Sequence, residues 1–208
     1  MKLYYDFHIH TALSPCGNKD MTPNNIVNMA CISGLNCIAI TDHNSYLNIE
    51  SCMTVVENNS LDLIIIPGME VETIEEFHVI CLIPSIEKMK VFGEIVKSRQ
   101  NKIVNNEKIF GKQIILDSMD NEIASCENLL ITPTNIDIYE LIELTKKYDG
   151  IAIPAHIDRN SYSIITNLGF IPDDLDISLV EFSKNANPEM FLESLKKYSK
   201  KEYKYIIS

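Results

Sequence analysis

The stretch "DFHIHTALSPCG", residues 6–17, sets two histidines one residue apart behind an apolar opening run and ahead of a Ser-Pro-Cys-Gly turn. Residues i and i+2 of a strand share a face. His8 and His10 are therefore expected to aim into one cavity while Ile9 packs the opposite way. The run "KLYYDF" reads as a first strand that ends in this pair, and the turn that follows stops it.

The same alternation continues along the chain. "TPNNIVNMACISG" reads as a helix with Thr22 as N-cap, Pro23 at the first helical position and Gly34 as the stop. "NCIAI" is a second strand and "YLNIESCMTVVENN" a second helix. "LDLIIIP" and "FHVICLI" are a third and fourth strand, with "GMEVET" read as part of the turn region between them. "SIEKMKVFGEIVKSRQNKIVNNEKI" reads as helical, and residues from about 88 to 134 are expected to form an insertion on a single domain covering 1–208. Beyond it come a helix in "NIDIYELIELTKKYDG", strands in "IAIPAH" and "SLVEFS", a helix in "NPEMFLESLKKYSK" capped by Asn187, and a last strand, "YKYIIS". Strands alternating with helices predict a mainly parallel α/β sheet or barrel of about seven strands, with reactive groups at the strands' C-terminal ends.

Composition narrows the class. At 208 residues the chain is long enough for a real core, and 46% of it is hydrophobic. The start lacks the apolar core of a signal peptide, and no apolar run approaches ~18 residues, so a cytoplasmic, non-membrane location is expected. A formal net charge of -11 argues against binding a nucleic-acid backbone. None of the six cysteines forms a C-x-x-C pair, which excludes a zinc ribbon and a redox dithiol as readings of the sequence.

All five histidines fall at predicted strand ends: His8, His10, His43 and His156 close strands, and His78 opens one. Imidazoles converging from several strands have one common use, holding a transition metal. Glu70, in "IPGMEVE", adds an oxygen ligand that could bridge two cations. Asp6 and Asp42 are expected to orient imidazole N–H groups. Arg159 in "AHIDR" and Lys184 in "EFSKNAN" are candidate anion binders just past strand ends.

The ordered set His8-Ile9-His10, Thr41-Asp42-His43, Gly68-Met69-Glu70, His78 and Pro154-Ala155-His156 resembles the PHP superfamily (polymerase and histidinol phosphatase). The resemblance implies a distorted (β/α)7 barrel and a metal-dependent phosphoesterase with two or three divalent ions: zinc, manganese or iron. It implies that His8, His10 and Glu70 hold a first ion, and Glu70, His78 and His156 a second. It assigns His43 to a third, where a histidine of some relatives is replaced by Cys16, either a substitute ligand or a turn residue. The family's closing Asp-x-His motif is absent from a sequence that ends at "YIIS", so the C-terminal part of the fold is expected to be truncated. The substrate implied is a small phosphate monoester or nucleotide-type phosphate. A non-catalytic metal-binding module and an amidohydrolase-type hydrolase are the competing readings. The second of these wants a lysine after a later strand, and none stands there.

Overall fold

The computed structural model describes residues 2–196 and 201–208. The first strand, β1 (Tyr5–Ile9), is followed by α1 (Pro23–Ile32), β2 (Cys37–Ile40), α2 (Ile49–Asn58), β3 (Ile64–Glu72) and β4 (His78–Leu82). Then come α3 (Ile86–Arg99), α4 (Glu107–Phe110), β5 (Ile114–Leu116), β6 (Glu122–Ser125), α5 (Ile138–Lys147) and β7 (Ile151–Pro154). The chain closes with α6 (Ile164–Leu168), β8 (Leu179–Phe182), α7 (Pro188–Leu195) and β9 (Lys204–Ile207). Helix α1 begins as its sequence requires: the Thr22 side chain accepts from Asn25 N, and Pro23 needs no N–H at its position. Gly34 follows the helix with φ +73°, a left-handed backbone that favours glycine. The predicted continuation of α7 to Lys200 reaches into residues outside those described.

The main sheet runs β1-β2-β3-β4-β7, and β8 pairs with β9 in parallel as a second sheet. One apolar cluster lies inside their curve and takes a side chain from every one of these strands: Phe7, Ala39, Ile66, Ile80, Ile153, Leu179 and Ile206. The larger cluster lies outside it, where Val27, Cys52, Phe92 and Leu141 of the helices meet Ile38, Met69 and Val79 of the strands. Burying each large side chain there stabilises the fold by roughly 1.5–3 kcal/mol. The curled α/β sheet expected is present, but among the described residues the hydrogen-bonded ladders form separate sheets and do not close into a ring. The βα repeat is also irregular, because β3 and β4 form a hairpin with no helix between them.

That hairpin corrects two expectations. The sheet is only half parallel: β3 pairs antiparallel with β4, and β4 with β7. And "GMEVE" is strand, not turn. Gly68 pairs with Leu82, Glu70 with Ile80 and Glu72 with His78, while the reversal falls at Thr73–Phe77, where Thr73 N donates to Phe77 O at 3.0 Å and Glu76 takes φ +64°. The segment kept its period of two, with Met69 and Val71 packed outward. Its inward residues are carboxylates because that face looks onto a polar centre, and a polar face disguises a buried strand. The hairpin also explains why His78 opens its strand: antiparallel pairing brings the start of β4 to the same end of the sheet as the ends of β1, β2 and β3.

Helix α3 stops at Arg99, shorter than the helical run read from the sequence. Gln100 leaves in an extended conformation and its buried amide donates to Leu129 O (3.0 Å) and Leu130 O (3.3 Å). Those bonds replace the next helical turn. Among the described residues no helix is long and apolar enough to cross a membrane.

Candidate metal centre

Strand β1 carries a bulge. Asp6 aligns with Ile38 and Ile9 with Ile40, so three steps on β1 match two on β2. Tyr5 and Phe7 stack on one face, with ring centroids 4.5 Å apart, and the extra residue returns His8 and His10 to the inner side while Ile9 packs against the outer core. The expected division of this stretch therefore holds, with a local kink to achieve it.

Glu70 is the centre. It is buried, and a ring nitrogen of all five histidines lies within 3.2 Å of its carboxylate. His8 Nε2, His78 Nδ1 and His156 Nε2 stand 3.2, 2.9 and 3.2 Å from Oε1. His10 Nε2 and His43 Nδ1 stand 3.0 and 3.1 Å from Oε2, yet neither approaches along a hydrogen-bond direction, and that oxygen is left without a partner. His156 Nδ1 is also buried and unpartnered. His8 Nε2 and His10 Nε2 face each other at 3.1 Å.

The electrostatics follow from this crowding. Burial opposes ionisation of Glu70, but the surrounding imidazoles, His8 foremost, outweigh it and hold the carboxyl well below its ordinary range. Burial likewise acts downward on His8, where Glu70 and Glu181 overcome it and raise the group to about 10. For His10, Cys16 and Glu70 outweigh burial and raise it. Burial wins at His43 and His156, which are pushed down. One carboxylate cannot satisfy five imidazoles, so lone pairs are left converging on a common space. Buried nitrogen and oxygen donors of this kind suit a divalent transition metal. Two groupings have ligand atoms close enough to share an ion at Glu70: His8, His10, Glu70 and His43, Glu70, His78. A third, His10, Cys16 and His43, mixes nitrogen with sulfur.

Asp42 does not sit where the sequence reading put it. It is buried under the loop rather than in the cavity, and it accepts from Thr11 N (2.8 Å), Thr11 Oγ1 (2.7 Å) and Ser14 Oγ (2.6 Å), with no imidazole among its partners. Burial pushes this carboxyl up, against the pull of His10 and its donors. Ser14 Oγ in turn accepts from His43 N at 3.1 Å, so Asp42 ties the loop after β1 to the end of β2. Gly17 closes that loop, its N–H donating to Ser14 O at 2.8 Å, and a Cβ there would stand 2.2 Å from Thr11 O. The loop brings Cys16 Sγ to 2.8 Å from His10 Nδ1. Asp6 also misses the imidazoles, its Oδ1 accepting from the backbone of His8 at 3.1 Å.

A cavity of about 720 Å3 opens over the cluster, lined by all five histidines, Cys16, Glu70, Arg159 and Tyr162 among others. Lys184 is exposed and does not line it. A functional candidate absent from the sequence reading is Glu181 of β8. Both its oxygens lie 2.9 Å from His8 Nδ1, and Oε2 also accepts from His156 N at 2.9 Å. Its signal was present: in "LVEF" the acid alternates with Val180 and Phe182, which pack outward, so it had to face inward.

Comparison with known proteins bears on the family and the fold. A region of 79 residues is 33% identical to the 5'-3' exoribonuclease Rnm of Salmonella typhimurium, covering 38% of this chain and 26% of that protein. Among solved structures, a Bifidobacterium adolescentis protein assigned as a metal-dependent phosphoesterase superposes with a TM-score of 0.59 at 17% identity, over 95% of this chain and 83% of that one. The lesion-specific endonuclease PfuEndoQ of Pyrococcus furiosus gives 0.66 at 20% identity, over 100% of this chain but 48% of its own. At these identities the superpositions speak for the fold. A family model of the PHP domain matches residues 6–201, and this chain belongs to the PHP domain family.

Proposed function

We propose that this chain is a metal-dependent hydrolase of phosphate esters, acting on a small phosphate monoester or a nucleotide-type phosphate. The observation that carries the reading is the buried Glu70 carboxylate with five imidazole nitrogens at 2.9–3.2 Å. In this reading Glu70, His8 and His10 would hold one ion, and Glu70, His78 and His156 a second. His43, with Cys16, offers a third position whose sulfur favours zinc over manganese. Divalent cations bound there would polarise a phosphate oxygen and make a coordinated water acidic enough to attack near neutral pH.

The chain's own residues supply the rest. Glu181 accepts the Nδ1 proton of His8, which leaves Nε2 free to face Glu70, and by holding His156 N it locks the β1 and β7 sides of the centre together. Among the described residues lining the cavity Arg159 is the one lysine or arginine, and it is the anion clamp of the proposal. Asp42 positions the loop that carries Cys16. Lys184, exposed outside the cavity, has no part in it.

A nucleic-acid substrate stays within the proposal despite the net charge of -11. The relatives named as an exoribonuclease and a lesion-specific endonuclease support it, although the match spans about a quarter of Rnm and about half of PfuEndoQ. The test is hydrolysis of p-nitrophenyl phosphate and bis(p-nitrophenyl) phosphate after loading with zinc, manganese or iron, beside Glu70→Gln. Turnover that depends on metal and vanishes in the variant is the expected result. Metal-independent turnover, or none of either ester with any ion, sinks the reading.

A further inference from the structure

The cavity is much larger than a phosphate group needs; its volume of about 720 Å3 is in the range of sites that bury a whole small molecule. Beside the cluster its wall changes character, with Met21, Ile131 and the ring of Tyr162 added to Arg159. Tyr162 lies flat against His78, ring centroids 4.9 Å apart and planes 13° from parallel. One face of the phenol is thereby covered, and the side chain remains half exposed, the residue being 51% accessible.

This placement is built, not incidental. Tyr162 holds φ +54°, a left-handed backbone unfavourable for a bulky side chain, and such strain persists only where surrounding bonds impose it. Here Tyr162 O accepts from His78 N at 3.0 Å, fixing the loop to the first residue of β4. Ser163 Oγ and Thr166 Oγ1 both donate to Arg159 O at 2.8 Å, and Arg159 N donates to His156 O at 2.9 Å. The loop is thus braced at three points, and it lines the cavity with Arg159, Ser161 and Tyr162, of which the guanidinium and the aromatic ring are the large groups.

We propose that Tyr162 is a stacking platform, so that the substrate class is a phosphate ester bearing a planar heteroaromatic group: a nucleoside phosphate. The phosphate meets Arg159 and the Glu70 centre, and the base lies on the open face of Tyr162, one ring beyond His78, whose Nδ1 is 2.9 Å from Glu70. Stacking on an aromatic side chain tolerates any base, because every base has a π face. A sugar phosphate without a base would leave the platform bare. The inference rests on the phosphoester reading and sharpens its substrate.

The test compares AMP with ribose 5-phosphate, a pair that differs only in the base, by titration calorimetry on manganese-loaded protein. Wild type is expected to prefer AMP by about tenfold or more, the scale of one base–aromatic stack. Tyr162→Phe should keep that preference, and Tyr162→Ala should bring it close to unity. Equal affinities in wild type overturn the inference, as does a preference that survives Tyr162→Ala. If Tyr162→Ala weakens both ligands by the same factor, the ring serves His78 alone and the inference fails. Those results leave the phosphoester reading standing. It fails separately if neither ligand binds and neither p-nitrophenyl ester is cleaved.

Discussion

The floor and the rim of the cavity are built in opposite ways. The floor is a set of side chains at the ends of β1, β3 and β4, joined by loop-edge His43 and His156, all turned on one buried carboxylate. The rim is Cys16 on the loop after β1, and Arg159 and Tyr162 on the loop before α6. Floor residues owe their positions to sheet register, shared with a core of large side chains. Rim residues owe theirs to a few polar bonds, such as those from Thr11 and Ser14 to Asp42 and from Ser163 to Arg159. On the proposed function the difference separates chemistry from selection: a cation centre needs ligands that cannot drift, whereas a substrate wall can be rebuilt in loops without disturbing the sheet.

Substitutions can break or sharpen that contrast. The largest effect is expected at Glu70. Wild type held at about a hundred times the metal dissociation constant should gain about 2.7 kcal/mol of stability over chelated protein. Glu70→Gln should lose that gain and all metal-dependent turnover, and thermal melts with and without metal check it. Asp42→Ala comes next. It strands buried donors of Thr11 and Ser14 at a cost of about 2 kcal/mol in urea unfolding, while the Glu70 cluster, set by register, keeps binding metal. An undiminished midpoint would mean that Asp42 does not organise the loop.

Glu181→Ala is expected to weaken metal binding by about 10–100-fold, the usual consequence of removing a partner that orients a ligating histidine. Glu181→Gln, which keeps an acceptor for His8, should lose less, and chelator competition measures both. An Ala variant with wild-type affinity would place Glu181 in the fold alone. The smallest effect is predicted for Ser163→Ala. Its hydroxyl caps α6 by accepting from Thr166 N, and losing it should cost about 1 kcal/mol of stability. Metal affinity should not change, because only the rim is touched. A fall in metal affinity in that variant would dissolve the distinction between rim and floor.

Much of the floor was legible from residue spacing. His8 and His10 share a face by the period of two, and Glu70, His78 and His156 stand where converging strand ends meet. What spacing conceals is pairing direction. The segment "GMEVE" reads in sequence as part of the turn region between two strands, and only the partner strand reveals the antiparallel β3–β4 hairpin. Asp42 shows the same limit from the other side: its place beside His43 in sequence suggested an imidazole partner, whereas folding set it beneath Thr11 and Ser14, residues roughly thirty positions away.

The sequence by itself determined the strand and helix alternation, the caps at Thr22 and Asn187, and the donor types of the centre. These depend on local backbone preference and on side-chain chemistry, which travel with the residue. Only the tertiary structure decided which donors meet: the bulge that turns His8 inward, Glu181 against His8, Tyr162 laid over His78, and Lys184 left outside. Those are contacts between distant segments, set by register and packing of the whole sheet, and no window along the chain contains them.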